Sequence, residues 1–339
     1  MVSQSRLSEL IVKRSFSIES LRPLESANLL LSPIGLGTWQ FSNQGRNWWK
    51  PVSSYLVYDI IKASLQGGIN WLDTAEYYGH GNSEKFIGSI LKLLEKEGSL
   101  TETICIADKW FPLLRSAKTI AQTFSGRLSN LQRPFIDLYQ IHHPTSISSL
   151  KKQAEELANL QEKGLIKAIG VSNFSAHQMV KMDELLKSFG LRLDSNQVKY
   201  NLLHRKPERN GVLDVAKERG ISLIAYSPLQ QGVLTGRFHA EPDSIKKISM
   251  LRRLNSGLSS RSLKKTQPLI DLLQKLADKY HKTPAQISLN WLIHAHASTV
   301  FAIPGASSLK QAQSNLEAQN FMLTEADLQK LSVDSEKLN

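Results

Sequence analysis

Short apolar or β-branched runs alternate along this chain with longer stretches in which apolar residues recur every three or four positions. The runs lie at 32–37, 69–73, 104–108, 136–142, 166–172, 194–200, 221–227 and 299–304, which makes eight candidate strands. Between them, 54–65, 83–94, 117–131, 149–162 and 176–188 carry the helical period, with Ser or Thr marking starts and Gly marking several ends. Strand and helix in alternation imply parallel strands joined by crossovers, and eight such units match a closed (β/α)8 TIM barrel better than an open doubly wound sheet. The interval after the seventh run is longer than the others and predicts a long loop there. GLGTWQ (35–40) and GHGNSE (79–84) each have two of the glycines of a dinucleotide fingerprint and lack the third. Neither a P-loop nor a zincin motif is present. The expected organisation is an amino-terminal extension over 1–28 and one barrel domain over 29–339.

The polar residues fall where the runs stop. Asp73, Lys109, His142, Ser172 with Asn173, Gln197, and Tyr226 with Ser227 stand at or just past six strand ends, in steps of 36, 33, 30, 25 and 29 residues. Each step is close to one βα unit, so all of these side chains are expected at the carboxyl rim, where barrel enzymes keep their chemistry. A lone His or Lys at a strand end is usually structural. Six positions in register on one rim point to a site.

Composition narrows the partners. The chain has 339 residues, 41% hydrophobic and 21% charged, which excludes a disordered or collagen-like chain. A single cysteine, Cys105, excludes a disulfide framework and a multi-cysteine metal site, and fits a reducing, cytoplasmic setting. No metal is expected, and no run is long enough to span a membrane. The first 25 residues are Ser-rich and basic, which permits an organelle-targeting reading that Glu9 and Glu19 oppose. The net charge is +12, and seven basic residues face two acidic ones between 241 and 270. Such a field suits either a nucleic acid or a phosphorylated small molecule, and no nucleic-acid-binding motif is present.

LDTAEYYGHGNSEKFIG (72–88) resembles the signature of the aldo-keto reductases. DKW (108–110), DLYQIHHP (137–144), GLIKAIGVSNFS (164–175), QVKYNLLHR (197–205), GISLIAYSPLQQGVLTGR (220–237) and IPGASSLKQAQSNLEA (303–318) resemble its other landmarks in order, over about residues 30 to 335. The resemblance implies a (β/α)8 barrel that reduces aldehydes or ketones with a nicotinamide dinucleotide, commonly NADPH, with NADH the lesser alternative. It implies Tyr78 as proton donor, Lys109 lowering the tyrosine's pKa, Asp73 pairing with Lys109, and His142 orienting the carbonyl. Asp108 departs from the usual Thr or Ser, and a carboxylate there opposes Lys109 unless it points away. For the cofactor the resemblance implies Ser172, Asn173 and Gln197 on the carboxamide and Tyr226 stacked on the ring. Ser227, Leu229 and Gly232 would follow the pyrophosphate, and Gly305, Ser307, Gln311 and Asn315 the adenosine half. Ser307 stands where many members carry a basic residue for a 2′-phosphate, so Arg237, Arg252 and Arg253 from the seventh loop are expected to supply that charge. Trp48, Trp49, Trp110, Tyr77 and His143 are expected to wall the substrate mouth, with Trp39, Trp71 and Trp291 in the core. The partner is a small-molecule carbonyl compound, with no nucleic acid and no membrane, and the oligomeric state stays open. A cofactor-binding regulatory or channel-associated subunit on the same fold, with little turnover, is the other class to separate.

Overall fold

The computed structural model describes residues 21–24, 27, 29–42, 51–100 and 104–339. Eight parallel strands form one sheet in chain order: β3 (Leu36–Gly37), β4 (Trp71–Asp73), β5 (Cys105–Trp110), β6 (Ile136–Ile141), β7 (Ile166–Ser172), β8 (Ser195–Lys199), β9 (Ser222–Tyr226) and β10 (Val300–Ala302). Parallel bridges Ile34 to Ala302 and Gly37 to Gly305 join the last strand to the first, so the sheet curls into a barrel. All eight predicted runs hold a strand, and the fold is the (β/α)8 barrel.

The five predicted helices form as Ser54–Gln66, Asn82–Lys96, Lys118–Leu131, Leu150–Glu162 and Ala176–Lys187. Ser53, Ser149 and Ser175 cap three of them by accepting from the backbone N–H three residues on. The expected long loop after β9 is largely helical, with Arg237–Ala240, Met250–Ser256 and two 3-10 segments before the long helix Ser260–Tyr280. An antiparallel hairpin, β1 (Arg22–Leu24) with β2 (Leu29–Leu31), precedes the barrel and straddles the expected boundary at residue 28.

The barrel interior is layered by the two-residue period of its strands. Leu24, Leu31, Trp71, Ala107, Leu138, Ala168, Ile224 and Phe301 form one apolar cluster, so the hairpin plugs the amino-terminal end. Two residues on along β4, β5 and β6, the same inner face carries Asp73, Lys109 and Gln140, all buried. An apolar floor thus lies directly under a polar layer. Gly170 makes room for that layer, because a Cβ there would lie 2.7 Å from Gln140 Cγ. Cys105 at the start of β5 is half-buried beside the plug, and burial pushes its thiol up to about 12. Among the described residues no helix is long and apolar enough to cross a membrane.

Candidate active site

At the carboxyl end of the strands a cavity of about 870 Å³ opens. Asp73, Tyr78, His142 and His143 line it, with Lys109 buried beneath. All twelve residues expected to hold a dinucleotide line it too: Ser172, Asn173, Gln197, Tyr226, Ser227, Leu229, Gly232, Arg237, Gly305, Ser307, Gln311 and Asn315.

Lys109 Nζ donates to Asp73 Oδ1 at 2.6 Å and to the Thr74 carbonyl at 2.7 Å, and lies 3.5 Å from the Tyr78 hydroxyl. The other Asp73 oxygen accepts from Gln197 Nε2 at 2.7 Å and Gln140 Nε2 at 3.4 Å. One carboxylate therefore ties three further strands together. The Tyr78 ring meets the His142 ring edge-on, centroids 5.8 Å apart. Glu76 anchors the segment bearing both tyrosines, accepting from the Phe111 amide, Arg115 and Arg127.

Burial raises the Tyr78 pKa above 10.0, and the pull of Lys109 only partly offsets this. The expected lowering by Lys109 is thus reversed in net sign, because burial of the phenol outweighs the ammonium. For Lys109 burial alone would lower the pKa, but Asp73 and Tyr78 outweigh it and the net shift is upward. His142 is driven well below 6.5 by burial and by Lys109, which leaves a neutral imidazole. Asp108 points out of the barrel, as strand alternation after an inward Lys109 requires. It lies near Glu84 of the helix Asn82–Lys96, which pairs with Arg127, and burial raises the pKa of both carboxyls, that of Glu84 the more.

The same alternation corrects Trp110. It is fully buried on the outer face of β5, its Nε1 donating to Thr119, and it does not reach the cavity. Phe111, one residue on, lines the cavity in its place and stacks on Tyr77 at 4.3 Å. Trp39, expected in the core, also lines the cavity, whereas Trp71 and Trp291 are buried. Trp48 and Trp49 lie outside the described residues. Of the three arginines expected near a phosphate, Arg237 and Arg252 line the cavity, and Arg253 lines a separate depression with Met250 and Leu258. Sequence reasoning missed Lys310 and Lys199, both cavity-lining. Lys310 stands in the first turn of the helix Leu309–Glu317, a signal that a search for charge at helix starts would find.

Several features suit a dinucleotide. Arg237, Arg252 and Lys310 line the cavity, and the one acid among the described lining residues, Asp73, is already paired with Lys109. Asn173 and Ser227 hold left-handed φ of 61° and 52°, strain of the kind kept at binding sites. The Tyr226 hydroxyl donates to Asn173 Oδ1 at 2.9 Å, which fixes both side chains at the cavity wall. Among the described residues no group of three or more His, Cys, Asp or Glu is placed to hold a metal ion.

The sequence model described as the Aldo/keto reductase family matches residues 33–333. The chain is 31% identical to the chloroplastic pyridoxal reductase of Arabidopsis thaliana over 87% of this chain and 81% of that one. It is 29% identical to the NADH-specific methylglyoxal reductase of Escherichia coli, over 90% and 95%. A thermostable aldo-keto reductase crystallised with the inhibitor epalrestat superposes with a TM-score of 0.73 at 26% identity, over 92% of this chain and 98% of that one.

Proposed function

The chain belongs to the aldo/keto reductase family, oxidoreductases that reduce carbonyl groups with a nicotinamide dinucleotide, and from that membership we propose that it is an NADPH-dependent reductase using Tyr78 as general acid. The observation that carries the proposal is the convergence of Tyr78, the Lys109–Asp73 pair and His142 at one end of the cavity. When bound, the nicotinamide supplies a hydride to the carbonyl carbon. Negative charge then builds on the carbonyl oxygen, and the Tyr78 hydroxyl delivers its proton there to give the alcohol. A phenol held protonated by burial is available as a donor throughout the neutral range. Lys109 faces the phenolate left behind, and the neutral His142 imidazole orients the carbonyl by hydrogen bonding.

Ser172, Asn173 and Gln197 would hold the carboxamide, and Tyr226 would present its ring face to the nicotinamide. Arg237 and Arg252, together with Lys310, support NADPH over NADH, because a 2′-phosphate adds two negative charges at that end. Alanine substitutions at Arg237, Arg252 and Lys310 should weaken NADPH more than NADH; equal losses for both would remove the phosphate reading. A chain with one cysteine suits the cytoplasm as its compartment. The test of the acid is Tyr78→Phe with NADPH and an aromatic aldehyde. Turnover should fall by about 10²–10⁴-fold while NADPH still binds. Wild-type turnover in that variant would refute the assignment, and absent turnover in the parent enzyme would favour a regulatory subunit.

A further inference from the structure

The cavity's cations separate into two groups by their surroundings. Arg252 donates to the Gln231 carbonyl and has Arg237 as its electrostatic neighbour, so these two belong to the segment after β9. Lys199 stands apart. It is the last residue of β8, two beyond Gln197, whose side chain bonds Asp73 inside the barrel. Alternation puts Lys199 on the same inner face, about 7 Å nearer the mouth. There it lines the cavity and is half-buried, and among the described residues its side chain has neither an ion pair nor a hydrogen bond. Burial without a counter-charge lowers its pKa.

Behind it the rim is basic. His204 senses Lys199, Lys206 and Arg209, and no acid is among the charges acting on it. Lys206 and Arg209 are exposed. Glu208 lies in the same segment but turns inward, held by Arg205, Tyr200 and His296. A half-desolvated ammonium with no partner is costly unless a ligand anion completes it.

We propose that Lys199 binds a phosphate carried by the carbonyl substrate, so that the enzyme prefers phosphorylated aldehydes over their neutral counterparts. The inference rests on the reading that the carbonyl is reduced at Tyr78. Gln197 reaches Asp73 across the barrel, and Lys199 stands one strand step above Gln197, on the side of the mouth opposite β4 and Tyr78, which suits a phosphate several bonds from the reacting carbon. The basic rim adds a field that draws a dianion toward the mouth.

The test uses the full chain, NADPH and two matched pairs: glyceraldehyde 3-phosphate with glyceraldehyde, and pyridoxal 5′-phosphate with pyridoxal. The phosphorylated member of at least one pair should have a kcat/KM higher by about 10-fold or more, chiefly through KM, as a charge-assisted hydrogen bond provides. In Lys199→Met that ratio should fall toward one, Lys199→Arg should restore it, and the dissociation constant for NADPH should stay at its parent value. A wild-type ratio near one in both pairs overturns the proposal. So does an equal loss for both members in Lys199→Met, which is a structural effect, or weakened NADPH binding, which assigns Lys199 to the cofactor. Turnover of the neutral members without a phosphate preference overturns this inference alone, whereas no turnover of any of the four also overturns the reductase reading.

Discussion

Replacing Lys109 by Met separates what the buried ion pair does for stability from what it does for chemistry. Lys109 is fully buried and Asp73 is 1% exposed, so the pair is shielded from solvent. Without the ammonium, Asp73 Oδ1 loses its 2.6 Å donor, and only the two glutamine amides on Oδ2 remain to hold a buried charge. Orphaning one partner of such a pair costs about 3–5 kcal/mol, and the Thr74 carbonyl loses its donor as well. An expected loss of about 4 kcal/mol in a chain of this length lowers Tm by about 6 °C. In Lys109→Met combined with Asp73→Asn no charge is stranded and Gln197 keeps an acceptor, so about half of the lost stability should return. Thermal and urea unfolding measure this, beside turnover, which should stay low by about 10²-fold or more in both single variants and the double. A loss under about 1 kcal/mol for Lys109→Met, or a double variant as unstable as the two singles added together, would refute the coupling.

Three further outcomes follow from the same structure. Because the Tyr78 and Lys109 pKa values are both raised, their favourable contributions hold below the ordinary values of 10.0 and 10.5 and are lost only as pH rises through the folded ones. The reductive kcat/KM should therefore stay flat through neutrality and fall on an alkaline limb above about pH 10, and a limb near neutrality would contradict the placement of Tyr78. Glu84 also has a raised pKa, so its contribution is full below 4.5 and shrinks as pH rises toward the folded value. Glu84→Gln removes that titration, so its Tm advantage over the parent should widen between about pH 5 and about pH 9; a constant difference in calorimetry would show that Glu84 is ionised throughout. Gly79 has φ +64°, and a Cβ there would sit 2.0 Å from the Ser42 carbonyl oxygen. Gly79→Ala should cost about 3 kcal/mol or more in urea unfolding, and near-parent stability would mean that the turn after Tyr78 can relax.

The barrel was legible because each strand carries its signal locally: an apolar run that ends in a polar residue. The rim was legible for the same reason, since Asp73, Lys109, Gln197 and Tyr226 end or nearly end their strands and the layer below them is apolar. What failed was orientation. Trp110 follows Lys109 directly, and the two-residue period that turns Lys109 inward must turn Trp110 outward; Asp108 on the other side goes outward for the same reason. Phe111, two residues past Lys109 and just beyond the end of β5, falls on the same inner side as Lys109, which is why it reaches the cavity. The net sign of the Tyr78 shift was also beyond the sequence. A spacing can show that Lys109 is close, but not that desolvation of the phenol outweighs the ammonium.

Charge was the least legible property, because its meaning depends on which face of a helix carries it. Of the basic residues crowded between 241 and 270, Arg252 turns to the cavity, Lys246 pairs with Asp243 in solvent, and Arg253 lines another depression. The cavity draws its remaining cations singly from distant places: Arg237 beside Gly236, Lys310 at a helix start, and Lys199 at a strand end. None of these three stands out in a count of local charge. A side chain at a strand end is aimed by the barrel itself, whereas one in a basic helix has several directions open to it. Lys199, at the end of β8 and without a side-chain partner among the described residues, is therefore aimed at the cavity by the barrel, as most of the cluster after β9 is not.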